Sequence, residues 1–148
     1  MKTTQKETAE SIRSFNRFYL PYFHLLTQRY LNSDYSAAEA RILYEIYDDP
    51  GIIARDIAGR LRVDKGYLSR ILKKFEAKGL IIRKNALEDG RQASITLTKA
   101  GESLVRELIQ YSNQEIEGLI AGCSNDELKK LSEHMTRIID ILDNKAEE

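Results

Sequence analysis

The sequence predicts a mainly α-helical fold that carries one small β-ribbon. Most of the 148 residues lie in segments whose apolar side chains recur every three or four positions, which is the spacing of an amphipathic helix. From Leu80 the helical period gives way to two short strand-like runs, over residues 80–84 and over residues 93–98, where apolar and polar side chains alternate. Two prolines and eight glycines leave no linker-like stretch, so we expect a single domain over residues 1–148.

The first predicted helix covers about residues 7–31. Its large apolar residues recur at helical steps, namely Ile12, Phe15, Phe18, Tyr19, Tyr22, Phe23, Leu26 and Tyr30. Pro21 lies inside this segment and has no N–H to donate to the preceding turn. We therefore expect a kink near Pro21.

Two shorter helices are predicted next. Ser36-Ala37-Ala38-Glu39 has the form of a capping box and should open a helix that runs to about Tyr47. Asp48-Asp49-Pro50-Gly51 ends that helix. The following helix runs from about Ile53 to Leu61, although its start has no Ser, Thr, Asp or Asn as an N-cap.

A third helix and the β-ribbon follow a tight turn. Asp64 is a suitable N-cap for a helix over residues 65–78, and Gly79 supplies its C-terminal stop. Strands are predicted over residues 80–84 and from Ala93 to Leu97. Between them lies a polar tip with the Asp-Gly chemistry of a turn.

Two long helices complete the chain. Thr98 can cap a helix that runs to about Ala121, and Ser124-Asn125-Asp126-Glu127 is a second capping box. The last helix carries a coiled-coil-like seam with steps of three and four, made of Leu128, Leu131, Met135, Ile138 and Leu142. This seam needs a partner, either a second copy of the chain or the first helix of the same chain.

The formal net charge is zero, but the charge is divided unevenly. Residues 51–99 hold 12 Lys and Arg against 5 Asp and Glu, a net +7, and the flanking segments hold 11 against 18, a net −7. A basic middle between acidic ends favours a local surface for a polyanion. The alternative is a charged face that only contacts solvent.

Two short helices joined by a tight turn and followed by a ribbon with a basic tip make a winged helix-turn-helix, which suits double-stranded DNA. Its second helix can enter the major groove, where the first turns meet base edges. We expect Tyr67, Ser69 and Arg70 to read bases. We expect phosphate contacts from Lys65, Lys73, Lys74 and Arg91. Gly66 would allow close approach, and Asp89 could orient the Arg91 guanidinium for an adjacent minor groove.

The order of elements and two motifs resemble the MarR family of bacterial regulators over nearly the whole chain. The motifs are VDKGYLSRILKKFEAKGL, from Val63 to Leu80, and the stretch from Asp89-Gly90-Arg91 to Leu97-Thr98-Lys99-Ala100-Gly101. The first helices are most similar to the branch fused to GNAT acetyltransferases, whose enzyme half has no counterpart in this sequence. Two positions depart from the family pattern: Gly66 replaces a frequent Ser or Thr, and Gly90 replaces a frequent Arg.

The resemblance implies a transcriptional regulator, more often a repressor, that binds a pseudo-palindromic site as a homodimer. The winged part would cover about residues 36–98, and the dimerisation helices about residues 7–31 and 99–146. Members of the family often bind small aromatic acids in a cleft between these parts. A cleft here would be lined by Arg17, Tyr19, Tyr22, Tyr44 and Tyr47. Aromatic packing in the core is the alternative role of these tyrosines.

Other function classes find little support. His24 and His134 have no spaced cluster of ligands around them, and Cys123 is the one cysteine, so we expect no metal site, no cofactor and no redox switch. No activated nucleophile or phosphate-binding loop is evident, so we expect no enzyme. The absence of a membrane-spanning or secretory segment leads us to expect a cytoplasmic protein without a membrane partner. A winged-helix module that binds an acidic protein is the alternative function.

Overall fold

The computed structural model describes residues 2–85 and 92–144, and it confirms the mainly helical fold with a small β-ribbon. The helices are α1 (Lys2–Tyr22), α2 (Ala37–Asp48), α3 (Ala54–Leu61), α4 (Lys65–Ala77), α5 (Lys99–Ile120) and α6 (Asn125–Asp143). The strands are β1 (Ile52–Ile53), β2 (Ile81–Asn85) and β3 (Ala93–Leu97). The chain forms two compact units, of which the first ends at Ser112 and the second begins at Asn113. The single-domain organisation stays a prediction.

The first helix differs from the expectation of a kinked helix over about residues 7–31. It begins earlier and ends at Tyr22, one residue after Pro21. The Leu25 N–H donates to the Leu20 carbonyl oxygen at 2.9 Å, and the His24 N–H donates to that of Pro21 at 3.1 Å. With His24 in the left-handed region (φ 53°), this is a Schellman ending. Pro21 therefore lies in the last turn of a helix that stops.

Two of the three helices of the winged part begin at the caps that the sequence predicts, and the third begins without one. The Ser36 hydroxyl accepts from the Glu39 N–H at 3.2 Å, and the Glu39 carboxylate accepts from the Ser36 N–H at 3.1 Å, which closes the capping box of α2. The Asp64 carboxylate accepts from the Tyr67 N–H at 2.9 Å and opens α4. Helix α3 begins after Ile53, which makes no side-chain cap, as its sequence indicated.

The sheet has three strands, one more than the sequence predicted. The order is β1-β3-β2, and both pairings are antiparallel. Ile52 faces Ile95 across β1 and β3, and Ile81 faces Leu97 across β2 and β3. Strand β1 escapes pattern analysis because two residues show no periodicity and their partners lie about forty positions away in the sequence.

The core of the first unit lies beneath α4 and supports it. Its fully buried large side chains are Ile42, Leu43, Ile46, Ile57, Leu68, Leu72, Phe75, Ile95 and Val105. The start of α5 lies against the end of α4, because the Thr98 hydroxyl donates to the Gly79 carbonyl oxygen at 2.6 Å and accepts from the Gly101 N–H at 3.1 Å. A Cβ at Gly101 would clash with the Leu80 carbonyl oxygen, so a glycine is required there.

The second unit contains the end of α5 and all of α6. The second capping box forms as predicted: the Ser124 N–H donates to the Glu127 carboxylate at 2.8 Å, and the Glu127 N–H donates to the Ser124 hydroxyl at 3.3 Å. None of the described residues of α6 is buried. The seam is largely open, with Leu131 38% exposed, Ile138 45% and Leu142 58%.

Candidate nucleic-acid interface

Helix α4 presents one polar face to solvent. Its apolar stripe (Leu68, Leu72 and Phe75) is buried, which fixes the rotation of the helix. The N-terminal end of α4 is free of covering side chains at Lys65 and Gly66, and both residues are exposed. A helix held by its inner stripe and open on its outer face has the geometry required to enter a DNA groove.

The predicted contact residues on this helix divide by exposure. Arg70 and Lys73 are exposed, whereas Tyr67 and Ser69 are partly buried, and Tyr67 packs against the core. At 100° per residue, Lys65, Ser69 and Lys73 form one row on the polar face, with Gly66 and Arg70 in the next. The roles assigned to these residues stay predictions, and the structure places all of them on or beside a single face.

The cations of the winged part fall into a paired and an unpaired group. Within residues 2–85 and 92–144, Lys65, Arg70 and Lys73 form no ion pair. The cations that form ion pairs with carboxylates include Arg55, Arg60, Lys74 and Arg83. Exposed cations that pair with no described carboxylate keep their charge available for a polyanion, and the outer face of α4 holds three of them.

Lys74 has a contact that the sequence did not reveal. Its ammonium lies 2.6 Å from the buried Glu39 carboxylate, which also caps α2. Burial raises the pKa of Glu39, but the hydrogen bonds from Lys74 and from the Ser36 N–H together outweigh burial and hold that pKa below its usual 4.5. Lys74 thus links α2 to α4, which makes it a weaker candidate for a phosphate contact than Lys73.

Tyr35 extends this link. The Lys74 and Lys78 ammonium groups lie 5.4 and 4.9 Å from the centre of the Tyr35 ring, and Phe75 meets the same ring edge-on at 6.1 Å. Tyr35 is buried, so both cation–π contacts are partly shielded from water. No helical or strand periodicity marks Tyr35, which explains why sequence reasoning missed it.

Helix α3 is held against α2 by a second charged cluster. The Arg60 guanidinium lies 2.7 Å from the Asp49 carboxylate and 3.5 Å from that of the buried Glu45. Glu45 also pairs with Arg41 at 2.6 Å. The hydrogen bond to Asp49 is the main reason why the pKa of Arg60 is raised. This cluster holds α3 against α2, and sequence reasoning also missed it, since its partners are 11 and 15 residues apart.

Gly66 and the wing residues complete the predicted interface. A Cβ at Gly66 would lie 3.0 Å from the capping oxygen of Asp64, so a side chain there would crowd the N-cap of α4. Asp89 and Arg91 lie outside the residues that the structure describes, and their roles stay predictions. At the base of the wing, Arg83 Nε lies 3.5 Å from the Glu76 carboxylate.

The residues predicted to bind a ligand form two aromatic groups. On α1, Tyr19 stacks on Phe15 with ring centres 5.1 Å apart, Tyr22 stacks on Phe18 at the same distance, and Arg17 pairs with Glu10 at 3.0 Å. The second group lies on α2, where the rings of Tyr44 and Tyr47 are 6.4 Å apart and the Arg41 guanidinium covers Tyr44 at 5.2 Å. That the two groups line one cleft stays a prediction.

The remaining candidates show no organised site in the part of the chain that the structure describes. There, no group of three or more His, Cys, Asp and Glu is placed to hold a metal ion. Cys123 is exposed and forms no disulfide. No described helix combines the length and the apolar character that crossing a bilayer requires.

Comparisons with known proteins agree with this geometry. The model of the MarR family matches residues 35–93. The organic hydroperoxide resistance transcriptional regulator of Bacillus subtilis is 30% identical over 118 residues, which cover 78% of this chain and 76% of that protein. The HTH-type transcriptional regulator TtmR of Methylorubrum extorquens is 30% identical over 105 residues, 71% of this chain, and the match spans about half (53%) of TtmR.

A solved structure shares the fold over almost the full length. The structure of Staphylococcus aureus MarR in complex with salicylate and kanamycin superposes with a TM-score of 0.77 at 25% sequence identity. The superposition covers 95% of each chain. The likeness therefore extends beyond the winged part to the long helices.

Proposed function

The chain belongs to the MarR family, and from that premise we propose that it is a sequence-specific DNA-binding transcriptional regulator, acting as a repressor in the cytoplasm rather than as an enzyme. The curated relatives are themselves named transcriptional regulators. The observation that carries the proposal is the capped helix α4, whose outer face holds cations that form no ion pair with the described residues.

The proposed contacts follow from exposure and charge. Arg70 is the leading base reader, since its exposed guanidinium can make two parallel hydrogen bonds to a guanine edge. Tyr67 and Ser69 flank it as secondary readers. Lys65 and Lys73 supply phosphate contacts as exposed cations that pair with no carboxylate in residues 2–85 and 92–144. Lys74 contributes less to binding because Glu39 already neutralises it.

We propose a homodimer built from α1, α5 and α6. Helices α1 and α6 each expose several large apolar side chains, namely Ile12, Phe15, Phe18, Tyr22, Leu131, Ile138, Ile139, Ile141 and Leu142. A second copy can bury such faces, and a two-fold dimer would present two α4 helices to a pseudo-palindromic site.

We also propose that a small aromatic acid relieves DNA binding. The two aromatic groups on α1 and α2 offer rings for stacking. Arg17 and Arg41 offer guanidinium groups, which would exchange Glu10 and Glu45 for the carboxylate of the ligand. The S. aureus MarR structure contains salicylate, an acid of this kind. Calorimetric titration with phenolic acids tests this proposal, and the absence of saturable binding would contradict it.

The decisive experiment for the proposed function is selection of bound duplexes from a random DNA pool, at about 50 and about 150 mM salt. We expect enrichment of an inverted repeat with half-sites about one helical turn apart. Weak binding that disappears at the higher salt with nothing enriched would contradict the proposal. The protein-binding module with an acidic partner would then be favoured, because its basic face would bind DNA without selectivity.

Substitutions in α4, measured with the enriched duplex, test which side chains read bases and which bind phosphates. Arg70→Ala should cost about 1–3 kcal/mol at the cognate site and relax base preference. Lys73→Ala should weaken binding to all sequences about equally and reduce the salt slope by about one unit per protomer. Lys74→Ala is the matched control at the next position, and the slope should change less because that ammonium is paired. Equal slope changes for the two lysines would contradict the assignment.

A further inference from the structure

The turn between α3 and α4 contains an arginine in a backbone conformation that favours glycine. Arg62 has φ 52° and ψ 42°, in the left-handed region. The Arg62 N–H and the Val63 N–H both donate to the Ala58 carbonyl oxygen, the latter at 3.2 Å, which ends α3. A side chain in this conformation brings its Cβ close to the following carbonyl oxygen, and only Gly, Asn and Asp adopt it readily.

Helix α1 ends with His24 in this conformation, whereas helix α4 ends with the residue type that suits it. Gly79 occupies the equivalent position with φ 70°. Its N–H donates to the Glu76 carbonyl oxygen at 3.0 Å, and the Leu80 N–H donates to that of Phe75 at 2.9 Å. Two consecutive helices therefore end in similar turns, one at the residue that suits the conformation and the other at a large cation that does not.

Arg62 is a further exposed cation close to the start of α4. Its side chain is exposed, and within the described residues it forms no ion pair. It stands two residues before Asp64, the N-cap of α4, and three before Lys65. Arg62 is therefore an exposed cation in the turn that leads into the helix assigned to DNA.

We propose that Arg62 is a further DNA contact, which binds a backbone phosphate beside the groove that α4 enters. The inference rests on the proposed function. Residues held in sparsely populated backbone conformations concentrate at functional sites, where the function of the side chain offsets the conformational cost. A guanidinium suits a phosphate because its planar fork can donate two hydrogen bonds at once.

Three substitutions at this position separate charge from backbone strain. Arg62→Gly and Arg62→Asn remove the charge and fit the left-handed conformation, so both variants should melt at or above the wild-type temperature. Both should weaken binding to the enriched duplex and lower the salt slope by about two units per dimer, about one per Arg62. Arg62→Lys keeps a cation and should retain most of that slope.

Arg55→Gln is the control for loss of one positive charge elsewhere in the winged part, since Arg55 is exposed and already pairs with Asp56. The readouts are melting temperature and DNA affinity by fluorescence anisotropy at several salt concentrations. An unchanged slope in Arg62→Gly, with wild-type protein binding its enriched site, overturns the role of Arg62 alone. Failure of the wild type to select any site instead overturns the proposed function.

Discussion

Helices α4 and α6 carry apolar stripes with the same spacing of three and four, yet the stripe is buried in α4 and largely exposed in α6. In α4 the stripe is closed off from solvent, with Leu68 2% exposed and Leu72 and Phe75 at 0%. In α6, Leu131 and Ile138 keep 38% and 45% of their surface exposed. Periodicity thus predicts that a helix has an apolar face but not what covers it. The first face is covered by the same chain, and we propose that a second copy covers the other.

The prediction with the largest expected effect compares the stabilities of alanine variants at two glycines of α5, one in each unit. Gly101→Ala should cost at least about 2–3 kcal/mol of unfolding free energy, because the added Cβ meets the rigid Leu80 backbone. A Cβ at Gly118 would instead point into open space, so Gly118→Ala should stabilise the helix by about 0.5–1 kcal/mol. Urea denaturation measures both. Equal stabilities would mean that α5 does not approach Leu80 this closely.

The second prediction concerns the exposed seam. The double variant Leu131→Glu with Ile138→Glu should be monomeric by sedimentation equilibrium. Each protomer would add two negative charges to the shared interface, and burying these like charges together is unfavourable. Its affinity for the enriched duplex should fall by on the order of 100-fold or more, since one protomer loses the effective concentration provided by its partner.

Thr136→Glu serves as the control for that variant, since it places a charge on an exposed position of α6 away from the seam. It should stay dimeric. A wild-type chain that sediments as a monomer at micromolar concentration would refute the proposed dimer, and the seam would then need a different partner.

The features of the fold that depend on neighbouring residues could be predicted, and those that depend on distant contacts could not. Caps are local: the boxes at Ser36 and Ser124 and the cap at Asp64 each join residues three apart, and all three form as expected. Strand β1 and the ending of α1 could not be predicted so well. The first depends on a partner strand remote in the sequence, and the second on His24 adopting a conformation that the residue type does not signal.

The candidate site divides in the same manner. Which side of α4 is polar follows from its periodicity, and the exposure of Lys65, Arg70 and Lys73 agrees with it. Which cations are neutralised does not follow, because the Lys74–Glu39 pair spans 35 positions. Sequence reasoning therefore assigned Lys73 and Lys74 the same role, and the tertiary contact distinguishes them.

The prediction with the smallest expected effect compares the stabilities of variants in the two capping boxes as pH falls. Glu39→Gln keeps the hydrogen bond to the Ser36 N–H but removes the charge that faces Lys74. Because the Lys74 side chain is 40% exposed, we expect a cost of about 1 kcal/mol at pH 7 instead of the larger penalty of breaking a fully buried pair. The folded-state pKa of Glu39 lies below 4.5, so its ionised form stabilises the fold above that pH.

That contribution should be lost as pH falls through the lowered pKa, so the stabilities of wild type and Glu39→Gln should converge below pH 4.5. Glu127→Gln is the matched variant in the second unit. The hydrogen bond from the Ser124 N–H lowers the pKa of Glu127 as well, but no lysine pairs with this carboxylate among the described residues, and glutamine preserves the capping box. Urea denaturation at a series of pH values should therefore show a larger difference for Glu39. Equal pH profiles for the two variants would show that the Lys74 contact adds nothing beyond the cap, and Lys74 would regain its place among the phosphate contacts.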